Sequence, residues 1–217
     1  MDQAKLDQQS QHWEENFSNK PEMFGLEPSY SAKKALEIFK EKKINNIVDL
    51  GAGLGRDSVF FAKNSINVLA IDNSFNAIKI INKKIQKLNL SKFVTTKVFD
   101  IRNKLPFEDC SIDAFYSHML YCMALTNSEI VNLNREIHRV LKPDGINFYT
   151  VRNTSDGDYK KGIHRGENLY ENDGFIVHFF SEEKINQLLN GFKNIQIEIF
   201  EEGSFPRKLF CVYNKKI

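Results

Sequence analysis

Long apolar runs are missing from this chain. The most apolar stretch, Ala114 to Leu125, is too short for a membrane span and is interrupted by Ser117 and His118. Cysteine is scarce. Cys110, Cys122 and Cys211 are too few and too scattered for a disulfide framework or a zinc knuckle, and a reducing compartment is the simplest reading. No charge sign dominates: 30 basic and 28 acidic residues leave a net charge of +2. Bulk charge therefore excludes a general polyanion binder, and affinity for nucleic acid or membrane would need a local patch. Met1 to Asn19 has no apolar segment, so no signal peptide is expected. Repeats and low-complexity tracts are absent. What remains is an ordinary globular mix, 41% apolar and 27% charged over 217 residues. That fits a single domain, 1–217, with a sizeable core, and predicts a cytoplasmic protein.

The chain alternates between two periodicities. Residues 46–50, 67–72, 93–99, 112–117 and 146–151 are short β-branched or aromatic runs, as expected of buried strands. Between them lie helical patterns. Ile78, Ile81, Ile85 and Leu88 share one face of a helix over 75–88, with Ser74 as its N-cap. Its lysines, Lys79, Lys83, Lys84 and Lys87, fall elsewhere on the cylinder and read as a solvated face. Thr126 and Glu129 form a capping box ahead of Ile130, Leu133, Ile137 and Val140. Pro143 and Gly145 suit the second and fourth positions of a type I turn. Ser181 caps a further helix with Glu182 and Glu183 in its first turn, closed by Gly191. Near the C-terminus, 194–199 and 207–213 are strands whose link, Glu201 to Pro206, is too short for a crossover helix, so they pair antiparallel. The pattern predicts an α/β, doubly wound sheet with helices on both faces. Residues 1–44 precede it, with a helix from about Ser31, and carry Trp13, Phe17 and Phe24 in need of a packing surface. Residues 152–180 show no clear element and are long enough for a lid or binding loop.

The strongest signal is Val48-Asp49-Leu50-Gly51-Ala52-Gly53-Leu54-Gly55-Arg56-Asp57-Ser58, where the first strand turns into a helix. Glycines there let a ligand approach the backbone with no Cβ in the way. Asp72 ends the second strand, where a carboxylate can accept both hydroxyls of a ribose. The spacing is G-x-G-x-G rather than the dinucleotide G-x-G-x-x-G, and Asp49 inside the loop is unsuited to a pyrophosphate. It suits a ligand with a cationic end. S-adenosylmethionine has an ammonium, a sulfonium and no phosphate.

The sequence resembles a class I S-adenosylmethionine-dependent methyltransferase. The loop VDLGAGLGRDS, the acid in VLAIDNS, the acid in KVFDI, the strand SIDAFYSHML and HRVLKPDG carry the resemblance, across about residues 46–151. The GxGRDS form is similar to the tellurite-resistance and thiopurine-methyltransferase-like branch. The resemblance implies a Rossmann-like, doubly wound, seven-stranded mixed sheet whose last strand is antiparallel. It also implies roles by position. Gly51, Ala52 and Gly53 would pass beneath the methionine part, and Asp49 would lie near the ammonium, directly or through water. Asp72 would hold the ribose, with Asn73 alongside. Asp100 would accept from the adenine amino group, with Ile101 flanking the ring. Ser117 and His118 would lie near the sulfonium. Residues 1–44 become a helical lid, and 152–180 an insertion on the acceptor side.

Methyl transfer needs a positioned nucleophile and, for some acceptors, a base. His118 is the candidate base by location, or else a ring hydrogen-bonded at a strand end. Arg56 either meets an anionic acceptor or pairs with a surface acid. Cys122 reads as an apolar filler rather than a redox thiol. Arg152, His164, Arg165, Tyr170 and His178 lie in the insertion, and one or two of them are expected to touch the acceptor; their spacing fits no metal. With no Asn/Asp-Pro-Pro-aromatic motif and no strong positive charge, a small-molecule acceptor is expected, with neither nucleic acid nor membrane as partner. The rival readings are a non-catalytic sensor or regulatory subunit that binds S-adenosylmethionine, and a nucleotide-dependent oxidoreductase.

Overall fold

A computed structural model describes residues 2–203 and 207–217. The chain opens with α1 (Gln3–Asn19), capped by the Asp2 side chain. It continues through α2 (Tyr30–Glu41), which Ser29 caps by accepting from Ala32 N. Then β1 (Asn46–Leu50), α3 (Arg56–Lys63), β2 (Asn67–Asp72), α4 (Phe75–Lys87) and β3 (Val94–Val98) alternate. They are followed by β4 (Ile112–His118), α5 (Asn127–Val140) and β5 (Leu141–Arg152). The expected caps are in place: Ser74 accepts from Ala77 N, and Thr126 with Glu129 closes both arms of a capping box.

The main sheet has the order β3-β2-β1-β4-β5-β10-β9, where β9 (Phe192–Glu202) and β10 (Arg207–Lys216) are the C-terminal strands. β1 to β5 are mutually parallel, and β10 runs antiparallel to both neighbours. This is the seven-stranded mixed sheet that the resemblance implies. Part of the link between β9 and β10, including Pro206, lies outside the described residues. The chain reverses its direction of winding between β1 and β4, the place where open sheets hold ligands at their strand ends. Adjacent β1 residues serve opposite cores. Ile47 packs with Phe39, Phe61 and Ile81 under α2, α3 and α4, and Val48 packs with Ile130, Ile137 and Ile185 under α5 and α6 (Glu182–Gln187). Burying one such side chain contributes about 1.5–3 kcal/mol.

Three local expectations change. Residues 152–180 contain a second sheet, three antiparallel strands β6 (Ile163–Gly166), β7 (Leu169–Asn172) and β8 (Phe175–His178). Strands of four residues are too short to show a period, yet their turn was legible. Asp173 and Gly174 both have positive φ, 50° and 82°, as an Asp-Gly hairpin turn requires. At Pro143 the turn differs from type I, because Asp144 takes φ 63°, the left-handed third position of a type II turn. The helix after Ser181 ends at Gln187, and Gly191, at φ 77°, closes the turns beyond it.

Candidate active site

The glycine loop is pinned to the end of β2. Gly51 N and Ala52 N both donate to Ile71 O, at 2.8 and 3.0 Å. Gly51 and Gly53 have φ of 71° and 53°, in the left-handed region that favours glycine. A Cβ on Gly51 would meet Leu120 at 2.9 Å, so this glycine lets the loop beyond β4 close in. A Cβ on Gly53 would meet only the Phe17 and Phe24 rings, at 3.8 Å. The aromatics of the N-terminal segment thus find their packing surface over the glycine loop.

Asp72 joins the loop to α4. Its Oδ2 accepts from Gly53 N at 2.8 Å and its Oδ1 from Ser74 N at 2.9 Å. Burial raises its pKa, opposed by these amide bonds. Asp49 sits beneath the loop and accepts from Ser58 Oγ at 2.5 Å. It is 1% exposed, and burial pushes its carboxyl up to about 8, with the Ser58 bond opposing and the charges of Asp57 and Asp72 adding. Asn73 is exposed and donates to Ser10 Oγ of α1 at 3.2 Å. Asp100 pairs with Arg102, which also pairs with Asp7 of α1. Arg102 holds the Asp100 carboxyl below its usual range against the opposing effect of burial. Ile101 is buried in the core beside Leu105. Ser117 Oγ is buried and has no hydrogen-bond partner among the described residues.

His118 closes β4 within a polar cluster from several elements. Its Nδ1 lies 3.0 Å from both Ser31 Oγ and Thr150 Oγ1. Its Nε2 lies 3.2 Å from Glu202 Oε2, at the end of β9. Arg56 pairs with Asp57 at 3.3 Å and stands 3.6 Å from Glu202. Asp57 itself accepts from Ser29 Oγ at 2.7 Å and Tyr116 Oη at 2.8 Å.

Sequence reasoning missed Ser31, Thr150 and Glu202. Ser29, as a cap before the apolar face of α2, was the one local signal for this group. It missed as well the polar stripe of α1, in which Asp7, Ser10 and Glu14 reach Arg102, Asn73 and Ser74. These spacings of three, four and seven put one helix face over the ends of β2 and β3.

The other candidates are engaged within the fold. Arg152 pairs with Asp156 and Asp158, and Arg165 with Glu171. His178 is buried, its Nδ1 is 2.7 Å from Leu125 O, and burial pushes its pKa down to about 4. His164 stacks on Tyr170 with centroids 4.9 Å apart. Cys122 is buried against Met119 O, and burial pushes its thiol up to about 11, in line with a filler. No helix among the described residues is long and apolar enough to cross a membrane.

Residues 47–145 match the family described as "Methyltransferase domain". Phosphoethanolamine N-methyltransferase 1 of Triticum aestivum is 31% identical over 150 residues, 66% of this chain, and the chain spans about a quarter (26%) of that relative's length. The structure of 1,6-didemethyltoxoflavin-N1-methyltransferase from Burkholderia thailandensis, with bound 1,6-didemethyltoxoflavin and S-adenosylhomocysteine, superposes with a TM-score of 0.74 at 16% identity. That match covers 95% of this chain and 86% of the other. TehB from Haemophilus influenzae superposes with a TM-score of 0.68 at 17% identity, covering 94% of this chain and 67% of its own. At these identities the likeness of the two structures is one of fold. Domain match, strand order and glycine loop agree: residues 47–145 are similar to a methyltransferase domain, and the sheet that carries them has the seven-stranded order and antiparallel strand that the resemblance implies.

Proposed function

We propose that the protein transfers a methyl group from S-adenosylmethionine to a small-molecule acceptor by in-line displacement. The reading rests above all on Asp72. Its buried carboxylate spends one acceptor site of each oxygen on the amides of Gly53 and Ser74 and keeps another on each for a ribose hydroxyl. The unpartnered Ser117 Oγ fits a ligand that runs across the strand ends. Bound there, S-adenosylmethionine supplies an electrophilic methyl carbon on a sulfonium.

The protein's part is to hold and orient. Gly51, Ala52 and Gly53 carry the methionine end, with Asp49 beneath as the nearest carboxyl to the ammonium. Asp72 and Asn73 hold the ribose. Asp100, both of whose oxygens accept from Arg102, takes the adenine amino group on a remaining lone pair, and Ile101 lies along the ring. Ser117 and His118 face the sulfonium, and His118 serves as base for acceptors that must lose a proton. Residues 1–44 cover the cofactor and 152–180 border the acceptor. Two of the three similar proteins, the phosphoethanolamine and didemethyltoxoflavin enzymes, act, by their names, on small molecules, which supports the same class here. The three free cysteines fit a reducing, cytoplasmic setting.

Calorimetric titration of ligand-stripped protein with S-adenosylmethionine, S-adenosylhomocysteine and NAD tests this. Micromolar binding of the first two alone is the expected result. NAD binding alone overturns it. Binding of the sulfur ligands without release of S-adenosylhomocysteine across amine, thiol and hydroxyl acceptors would make the protein a sensor.

A further inference from the structure

Glu202 lies outside the matched domain, at the tip of the C-terminal hairpin, and reaches His118 from β9. Its Oε2 is buried and has no well-aligned hydrogen-bond donor among the described residues. The group that faces it is His118 Nε2 at 3.2 Å. The other edge of the ring faces hydroxyls: Ser31 Oγ from α2 and Thr150 Oγ1 from β5, each 3.0 Å from Nδ1. Hydroxyls donate or accept, but an ionised carboxylate only accepts. A neutral ring next to it therefore carries its proton on Nε2, because the alternative sets a nitrogen lone pair against a carboxylate.

We propose that Glu202 is a positioning residue for His118: it fixes the proton on Nε2 and leaves the basic lone pair on Nδ1, against the Thr150 and Ser31 hydroxyls. This rests on the methyltransferase reading and extends it to the acceptor side. Thr150 Oγ1 accepts from Met119 N at 2.9 Å, which orients its own proton toward Nδ1. A proton taken up by the ring makes it an imidazolium beside the Glu202 carboxylate, which balances its charge.

Other charged and titratable groups surround the pair. Arg56 of α3 stands 3.6 Å from Glu202 Oε1, Asp57 of α3 is paired with Arg56, and Tyr116 of β4 bonds Ser31. Burial raises the Glu202 pKa, but the His118 contact, the imidazolium charge once the ring is protonated, and the charge of Arg56 outweigh it, so the carboxylate stays ionised beside the protonated ring. The position thus supplies a fixed negative charge.

Nitrogen-15 NMR of the His118 ring decides the matter, because the two tautomers have distinct shifts. The wild type is expected to show a single Nε2–H form at pH 8. Glu202→Ala should give a mixture, and Glu202→Gln, whose amide oxygen still accepts, should restore the single form. A single Nε2–H form in Glu202→Ala overturns the proposal. Glu198→Gln, the same loss of charge on the same strand at a residue bonded to Lys34 and Tyr30, is expected to leave the ring unchanged. S-adenosylhomocysteine titration of the same samples keeps the two failures apart. Absence of binding by the wild type counts against the methyltransferase reading, whereas the ring spectrum judges Glu202 by itself.

Discussion

Between Leu50 and Asp72 the cradle is made from residues close in sequence. One turn, one helix and one strand bring Gly51, Gly53 and Asp72 together, and the Gly53 to Asp72 bond closes the loop. The cluster around His118 is built the other way. Ser31, Arg56, His118, Thr150 and Glu202 come from α2, α3, β4, β5 and β9, and only the finished sheet sets them side by side. The first arrangement is fixed by local backbone geometry. The second depends on tertiary packing, so a single substitution there is shared among several partners. Sharp losses are expected on the cofactor side and graded ones elsewhere.

The sharpest contrast should come from Gly53→Val. In the protein alone the new Cβ has room, with its nearest neighbours the Phe17 and Phe24 rings at 3.8 Å. The folding cost is therefore the left-handed backbone, about 1–2 kcal/mol. The methyl groups fill the space over the loop, and cofactor affinity should fall on the order of 100-fold or more, the upper range of an overpacked site. Gly51 is the poorer choice, because a Cβ there strikes Leu120 at 2.9 Å and disturbs the fold itself. Calorimetry together with a thermal melt separates the two costs. Normal binding by folded Gly53→Val would remove the glycine loop from the site.

Asp72→Ala should act next most strongly. It removes hydrogen bonds to a charged group, about 1.5–3 kcal/mol of cofactor binding. It also strands the Gly53 and Ser74 amides, so the melting temperature should fall as well. Unchanged affinity would mean that the ribose lies elsewhere.

The same division explains what could be read from the chain. Strands, caps and the order of acids at strand ends depend on near neighbours, and Ser74, Thr126 and Asp72 stand where their local patterns put them. The Asp173-Gly174 turn was equally local and betrays the second sheet. Glu202 had no such signal. It ends a strand of mixed polarity, and its meaning comes from β10 running between β9 and β5. The α1 stripe was hidden for another reason. Asp7, Ser10 and Glu14 look like any solvated helix face until Arg102, Asn73 and Ser74 are set opposite them.

Asp49 tests the buried edge of the cradle. With a carboxyl pushed up to about 8, the folded protein binds a proton more tightly than the unfolded chain does. The resulting stability is complete below about pH 4, where the unfolded group is protonated too. It is lost progressively as pH rises toward about 8. Asp49→Asn has no proton to lose. Its stability relative to wild type should increase from pH 5 to pH 8.5 in urea titrations, and a constant difference would contradict the burial argument. An ammonium brought near Asp49 favours the ionised form, so cofactor binding at pH 7 should release a proton, and the variant should release none. Calorimetry in buffers of different ionisation enthalpy reads this directly.

The smallest effect is expected at α1. Glu14 accepts from Ser74 Oγ and from Asn76 N at 3.1 Å, and so ties α1 to the start of α4 beside Asp72. The contact is partly exposed, and Arg102 and Ser10 hold α1 at other points. Glu14→Ala therefore loosens one of several ties, worth about 0.5–1.5 kcal/mol, and cofactor dissociation should quicken by about two- to tenfold. Trp13 is the single tryptophan of the chain and lies among Phe17, Phe24 and Phe175, with centroids 4.8 to 6.4 Å away. Its fluorescence reports the docking of α1 without a label. In the wild type, S-adenosylhomocysteine should change the emission in a single step, and in Glu14→Ala the free protein should already show the redder emission of a partly solvated ring. If emission and dissociation rate both match the wild type, Glu14 decorates α1 and the stripe does not latch it; if emission shifts while dissociation does not, α1 covers the loop without retaining the cofactor.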